Sequence, residues 1–406
     1  MYDVYKIRKD FPIFSHKIDN RPIVYLDTAA SAQKPTAVLQ QMRRTYEQAY
    51  ANPHRGSYTL SEQITAAYEN ARKTVQEFIN AESAKEIIFT RNATESINLI
   101  AATWGAENLK QGDEILISQA EHHANLVPWQ NLCRKTGAKL IIFAITDQGE
   151  FIKEDFVQKL SARTKLVAVT AMSNVLGSVF PLKEIIRASR QTGAKVLIDA
   201  CQFIVHRRVD VQDLDCDFLA FSGHKTYGPT GIGVLYGKAD LLRSMPPYQF
   251  GGDMIDQVTY EKTTYADIPA RFEAGTPAAV QAIGMAEGLK YMQNIGYPDI
   301  IAHEEQISAY ATDRLQEVPN LKIIGNPDKL SGVFCFAING IHPQDIAFIL
   351  NKENVCIRTG HHCAQPLVNR LGYTSLARVS FGLYTTKEDI DSLVSALLKA
   401  EKFFKE

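Results

Sequence analysis

The sequence predicts an α/β fold: a mostly parallel seven-stranded sheet flanked by helices, followed by a smaller C-terminal α/β unit. Three observations carry this. Between residues 86 and 236, seven short β-rich runs alternate with amphipathic helical patterns, and such alternation implies right-handed crossovers within one sheet. Near Gly251 the alternation stops. A second, shorter α/β series then begins near Ile301.

Taken in order, the run 86–90 leads into a helical pattern over 96–104. The run 114–118 leads to a helix opened by Pro128, and 139–145 follows. Proline suits a helix's first turn, where the amide it lacks would have no partner anyway. Run 165–170 precedes a helix opened by Pro181 and closed near Gly193, and runs 196–199, 218–221 and 233–236 complete the series. The stretch from Gly251 to Pro277 mixes polar and aromatic residues and reads as a hairpin or an ordered loop. A helical pattern over 279–296 then leads to a second unit built from 301–318, 322–324, 332–338, 345–351, 355–358 and a C-terminal helix from Lys387.

Length and composition exclude several function classes. At ~150 residues per domain the prior is two or three domains, and 406 residues with 45% hydrophobic and 22% charged content suit a chain that buries a core. Lys and Arg number 44 against 45 Asp and Glu, so no broad field draws a polyanion or an anionic membrane. The opening segment has no apolar leader and no later stretch is apolar enough to span a bilayer, which makes a cytoplasmic protein the expectation. Six cysteines without a C-x-x-C pair give neither a disulfide framework nor zinc-ribbon spacing.

In open parallel sheets, ligands bind at the carboxyl ends of the strands, where loops and helix N-termini face one crevice. Five polar clusters follow predicted strands here: RNATES, QAEHHAN, AMSNVLG, DACQ and SGHKTYGPTG. They should converge on a single cavity. Taken singly, each has an ordinary reading: Asn92 or Thr94 as a helix N-cap, Asp199 as a strand-end turn former, Lys225 as a solvated loop lysine. Taken together, they offer a phosphate site at a helix start, a partner for a protonated ring nitrogen, an amine nucleophile and an imidazole able to stack. Those are the requirements of pyridoxal 5'-phosphate. GHHC and EHH are also ligand-rich, but a metal is not expected, because adjacent histidines point apart and the other groups would go unexplained.

DACQ, with SGHK following, resembles the Asp and Lys segments of fold-type I pyridoxal-phosphate enzymes. More narrowly, YLDTAASAQKP, HRGSYTLS, EHHANLVPWQ, SNVLG, DLDCDF, GPTGIGVLYG, RFEAGTP and RTGHHCAQPL resemble the group II (SUF-type) cysteine desulfurases and selenocysteine lyases, among the class-V aminotransferase-like enzymes. The resemblance covers nearly the whole chain. It implies that Lys225 carries the cofactor through its amine, that Asp199 pairs with the pyridine nitrogen and that Gln202 bonds the phenolic oxygen. His122 would stack on the ring and move protons, and Ala93, Thr94, Ser222 and His224 would hold the phosphate. Asn174 and Arg378 would bind the substrate carboxylate, with Arg358 beside them. His54, Arg55 and Thr276 would reach the site from the other subunit of a homodimer.

Cys363 matches the family's sulfur-accepting cysteine. Independently, it follows Arg358, His361 and His362 in a loop containing Gly360 and closed by Pro366, an electropositive and mobile setting that favours thiolate. The other five cysteines lie mostly in apolar contexts and read as small core residues. The implied activity converts L-cysteine to L-alanine with a persulfide left on Cys363, for a SUF-pathway acceptor in iron-sulfur cluster assembly. Selenide release from L-selenocysteine is the alternative. Residues 1–20 are expected to pack on a small domain, 21–290 to form the large cofactor domain, and 291–406 to form the small domain carrying the cysteine loop. Departures from the family pattern at Ala171, Ala200 and Phe203 bear on rate or substrate preference.

Overall fold

The computed structural model describes residues 2–326 and 331–404. Its central sheet contains Ile87–Thr90 (β1), Glu114–Ser118 (β2), Lys139–Phe143 (β3), Thr164–Thr170 (β4), Lys195–Asp199 (β5), Phe218–Ser222 (β6) and Gly233–Gly237 (β7). These are the seven runs the sequence marks, in the spatial order β1-β7-β6-β5-β4-β2-β3. Strands β2 to β6 pair in parallel, whereas β7 is antiparallel to both β1 and β6. Most central strands are buried on both faces, so they read as continuous apolar runs. The stretch after Gly251 contains a two-stranded antiparallel ribbon of Ile255–Val258 and Thr263–Tyr265, one of the two forms expected.

A second sheet joins Leu321–Ile324 (β8), Val333–Ile338 (β9), Arg358–Gly360 (β10) and Leu376–Ser380 (β11) in the order β8-β9-β11-β10. The helix Ala279–Ile295 packs against the helices Thr36–Gln48 and Thr59–Phe78 and ends at Gly296, whose φ is 88°. Residue 290, the expected boundary, lies within this helix, and the helix itself ends at Gly296. Gly288 lets this helix approach closely, because a Cβ there would lie 2.8 Å from the Thr226 carbonyl oxygen. The helix thereby buttresses the turn that follows Lys225.

The N-terminal segment crosses onto the C-terminal sheet. Arg8 pairs with Asp389 at 2.7 Å, Val24 and Tyr25 run parallel to Val355 and Cys356, and Asp27 bridges to Ser380.

On the opposite flank, the helix Thr59–Phe78 packs on Ala279–Ile295 and carries Arg72 inward. Arg72 meets both oxygens of Glu273 at 2.6 and 2.9 Å and donates to the Ile87 carbonyl at 2.9 Å. Glu273 also accepts from the Phe89 amide and the Tyr68 hydroxyl. The paired side chains are only 3% and 8% exposed. Removing one partner of a buried, hydrogen-bonded ion pair leaves the other charge uncompensated. Arg72→Met is therefore expected to destabilise the fold by about 3 to 5 kcal/mol, read as a lower urea midpoint, with a much smaller effect from Arg43→Met, whose Glu47 pair lies at the surface.

Candidate active site

The loops after β1, β2, β4, β5 and β6 converge, as the alternation predicts, on a cavity of about 470 Å³. After β1, Asn92 caps the helix Ala93–Ile100 through Oδ1, and the Ala93 amide donates to Ser222 Oγ at 2.9 Å. The ordinary N-cap reading is thus correct for Asn92, and the helix start still opens on the cavity with Thr94 beside it. Strand β7 passes directly beneath. A Cβ on Gly233 would lie 2.5 Å from the Asn92 Cα, so only glycine permits that approach.

Asp199 ends β5 in a buried position and accepts from the Cys201 amide at 3.0 Å. Gln202 is buried one turn on and donates to the Ala29 carbonyl at 2.8 Å. Lys225 lies half-buried in the turn after β6, next to His224. His122 accepts at Nδ1 from the Ala124 amide at 3.0 Å, which leaves the ring proton on Nε2. Burial and the Lys225 ammonium push His122 down to about 4. Burial likewise brings His224 to about 4, and burial with the Arg378 charge brings His362 to about 3. All three rings are neutral at pH 7.

From the C-terminal sheet, β10 and β11 bring Arg358, Arg378 and the cysteine loop to the same cavity. Arg378 is buried, donates through Nη1 to the Asn174 carbonyl at 3.0 Å and through Nη2 to Asp27 at 3.3 Å. Its Nε has no hydrogen-bond partner. A buried guanidinium with an unsatisfied edge is suited to a ligand carboxylate. Arg358 grips Asp27 at 2.8 to 3.1 Å. Cys363 is exposed on the cavity rim, whereas Cys201, Cys216 and Cys335 are buried and Cys133 and Cys356 partly so. The loop is tied down more firmly than its composition suggests: Asn174 Nδ2 donates to the His362 carbonyl at 2.7 Å and the His123 amide to the Cys363 carbonyl at 2.6 Å.

Three expected site residues lie elsewhere in this chain. His54 bonds Glu69, Arg55 pairs with Asp253 at 2.9 Å, and Thr276 lines a separate cavity with Arg91 and Tyr248. Two groups escaped the sequence reading. Asp27 ends a short apolar run in YLD, the same signal that marked Asp199. Glu121 is buried with Ser118, Asn125 and the Thr170 amide around its carboxyl, and burial raises it to about 8. Of the departures, Ala171 and Ala200 are fully buried beneath the cavity, while Phe203 packs on Ala29, Met172 and Val333.

The family model for class-V aminotransferases matches residues 24–393. The chain belongs to that family. It is 46% identical to the "probable cysteine desulfurase" of Staphylococcus epidermidis, over 99% of this chain and 98% of that protein. It is 44% identical to the cysteine desulfurase of Synechococcus elongatus, over 98% of this chain but 64% of that longer protein. Among solved structures, the cysteine desulfurase CsdA of Escherichia coli, in an S-sulfonic acid form, superposes with a TM-score of 0.91 at 38% identity over 100% of both chains. The fold-type I expectation therefore holds, and the cysteine desulfurase expectation holds at the level of enzyme class. The relatives' names favour this over selenocysteine lyase. Pyridoxal phosphate, the cofactor of this class-V family, fits the donor set: one lysine, a buried carboxylate at a strand end, a neutral imidazole and a helix start joined to a serine hydroxyl. No helix among the described residues is long and apolar enough to cross a membrane.

The depressed histidines make stability depend on acid. An unfolded histidine binds its proton near pH 6.5 and these folded ones only well below that. Their contribution is fully present above about pH 6.5 and is lost as pH falls towards about 4. Cofactor-free protein should accordingly show a urea midpoint that falls steadily below about pH 6.5, with proton uptake on unfolding; a flat midpoint down to about pH 5 would contradict the neutral assignments.

Proposed function

We propose that the protein desulfurises L-cysteine, releasing L-alanine and holding the sulfur as a persulfide on Cys363 before an acceptor protein takes it. The observation that carries this reading is that one exposed cysteine shares a cavity with a lysine, a strand-end carboxylate and a buried, partly unsatisfied arginine. Lys225 would bear the cofactor, with Asp199 at the ring nitrogen, Gln202 at the phenolic oxygen and His122 over the ring. Ala93, Thr94, Ser222 and His224 would hold the phosphate. When bound, the cofactor supplies an electron sink for the substrate's α-carbon.

The chain's own groups supply the rest. Arg378, with Asn174 and Arg358, takes the substrate carboxylate, the Asp27 contact giving way to it. The Lys225 amine removes the α-proton, and His122, whose ring proton sits on Nε2, is suited to supplying a proton from that nitrogen. The Cys363 thiolate attacks the substrate sulfur. The carbon-sulfur bond breaks, its electron pair stays on carbon and is protonated, and a sulfur-sulfur bond forms on Cys363. Cysteine plus enzyme thiol thus become alanine plus enzyme persulfide, with no outside oxidant or reductant. Delivery to a SUF-type acceptor of iron-sulfur cluster assembly, in the cytoplasm, completes the reading.

His54, Arg55 and Thr276 have no role in a one-chain site, and their distance from the cavity supports a homodimer in which each completes the neighbour's site. The two domains would divide near Gly296.

Lys225→Ala should abolish alanine release and the visible Schiff-base absorption. Cys363→Ser should keep cofactor and cysteine binding but form no persulfide at residue 363. A wild-type rate of sulfur transfer from Cys363→Ser would overturn the assignment.

The shared site has its own test. Mixed dimers of Arg55→Ala with Lys225→Ala chains gather both defects in one site and leave the other intact. About half the wild-type activity per mixed dimer should return, whereas mixed dimers as inactive as their parents would exclude the shared arrangement.

A further inference from the structure

The cysteine loop is anchored by its own His362 ring at the Leu376 carbonyl, at 3.1 Å, and also by contacts from elsewhere in the fold. Gly360, His362 and Cys363 all take positive φ, at 122°, 52° and 56°. For His362 and Cys363 this is sparsely populated backbone, which persists only where surrounding contacts over-determine it. Beside the His362 bond, three hydrogen bonds from the loop after β2 and from Asn174 contribute to this, and two of them involve His123. Its amide donates to the Cys363 carbonyl at 2.6 Å, and its Nε2 accepts from the Gln365 amide at 3.0 Å. The first would survive any substitution that keeps the backbone amide. The second belongs to the imidazole alone.

An imidazole nitrogen accepts a hydrogen bond only while it carries no proton, so the Gln365 contact fixes the neutral tautomer with its proton on Nδ1. We propose that His123 is a positioning residue for Cys363: its neutral ring clasps the cysteine loop at Gln365 and holds the thiol at the cavity, and its protonation releases the loop. This rests on Cys363 being the sulfur acceptor. His122 has its stacking role already; the neighbouring histidine, which the resemblance left without one, acts on the other reactant.

The groups facing His123 are His361 on the cysteine loop, the His122 ring at 6.4 Å, Cys363 itself and Arg134 across a shared surface groove. Burial and His361 hold His123 below the ordinary histidine range. The clasp is therefore closed at neutral pH and opens on the acid side. A closed clasp serves attack on the substrate sulfur, which needs the thiol in place. An open one serves handover, which needs the persulfide outside.

The test compares wild-type holoenzyme with His123→Ala, which has no acceptor, and His123→Gln, which keeps an acceptor near the Nε2 position and does not titrate. Deuterium uptake over residues 360–368 is measured with and without cofactor. It is paired with kcat and KM for alanine release across pH, and with mass-spectrometric detection of persulfide on Cys363. His123→Ala should exchange faster over that segment and lose roughly five- to tenfold in kcat, with KM and cofactor absorption unchanged. His123→Gln should return exchange and kcat to within about twofold of wild type, and should keep more of its activity near pH 5.5 because its acceptor cannot be protonated.

Wild-type exchange in His123→Ala, or a glutamine variant as slow as the alanine one, would overturn the clasp. So would an acid limb identical in wild type and His123→Gln. If His123→Ala does not fold, the glutamine variant's acid limb and exchange decide alone. Absence of persulfide on wild-type Cys363 would instead overturn the sulfur-acceptor reading, and deuterium uptake would still report on the clasp.

Discussion

The site depends on the parallel register of β4, β5 and β6. Thr170 pairs with Asp199 and Asp199 with Ala220. One further hydrogen bond on each side, from the Ala171 amide to the Asp199 carbonyl and from the Ala200 amide to the Ala220 carbonyl, carries the ladder past the strand ends. The loops after β4 and β5 therefore leave the sheet at one height, and β6 runs two residues further, to Ser222, before the turn that carries Lys225. Side chains alternate along a strand, so a one-residue slip would exchange Asp199 for the face that Ile198 occupies. That face lies in the larger apolar core, where a carboxylate would have no partner.

Charge explains how the second sheet joins the first. The cavity collects Lys225, Arg358 and Arg378 against Asp199, with Asp27 spanning the two arginines. Three cations face two carboxylates, and burial keeps the neighbouring histidines neutral rather than adding to the positive charge. An anionic ligand therefore enters a field already short of negative charge. The arginines come from β10 and β11, whereas Asp27 comes from the N-terminal segment and Asn174 from the loop after β4. Holding the arginines at the cavity thus requires every part of the fold to be in place.

Much of this was legible in sequence because polar clusters directly following apolar strands have few other uses. The seven strands, the cavity and most of its lining could be read that way. The antiparallel direction of β7 could not, since a run such as GVLYG carries no sign of its direction. The helix Ala279–Ile295 is buried on nearly every side and shows little polar stripe, yet its bounds could be read, because Gly296 closes it. Asp27, Glu121 and His123 act through partners up to hundreds of residues away, and spacing along the chain says nothing of such contacts. The roles proposed for His54, Arg55 and Thr276 rest on resemblance, since in this chain they lie away from the cavity.

The crossing of the N-terminal segment onto the C-terminal sheet also governs when the protein can become complete during synthesis. Val24 waits for Val355, Asp27 for Arg358, Arg378 and Ser380, and Arg8 for Asp389. Strands β1 to β7 can pair as they emerge, while Arg8, Val24 and Asp27 remain unmatched until their partners between Val355 and Asp389 have left the ribosome. Asp27 then arrives together with both arginines. A chain stalled before residue 380 would already hold Lys225 and Asp199 on a formed sheet, yet present no assembled carboxylate pocket.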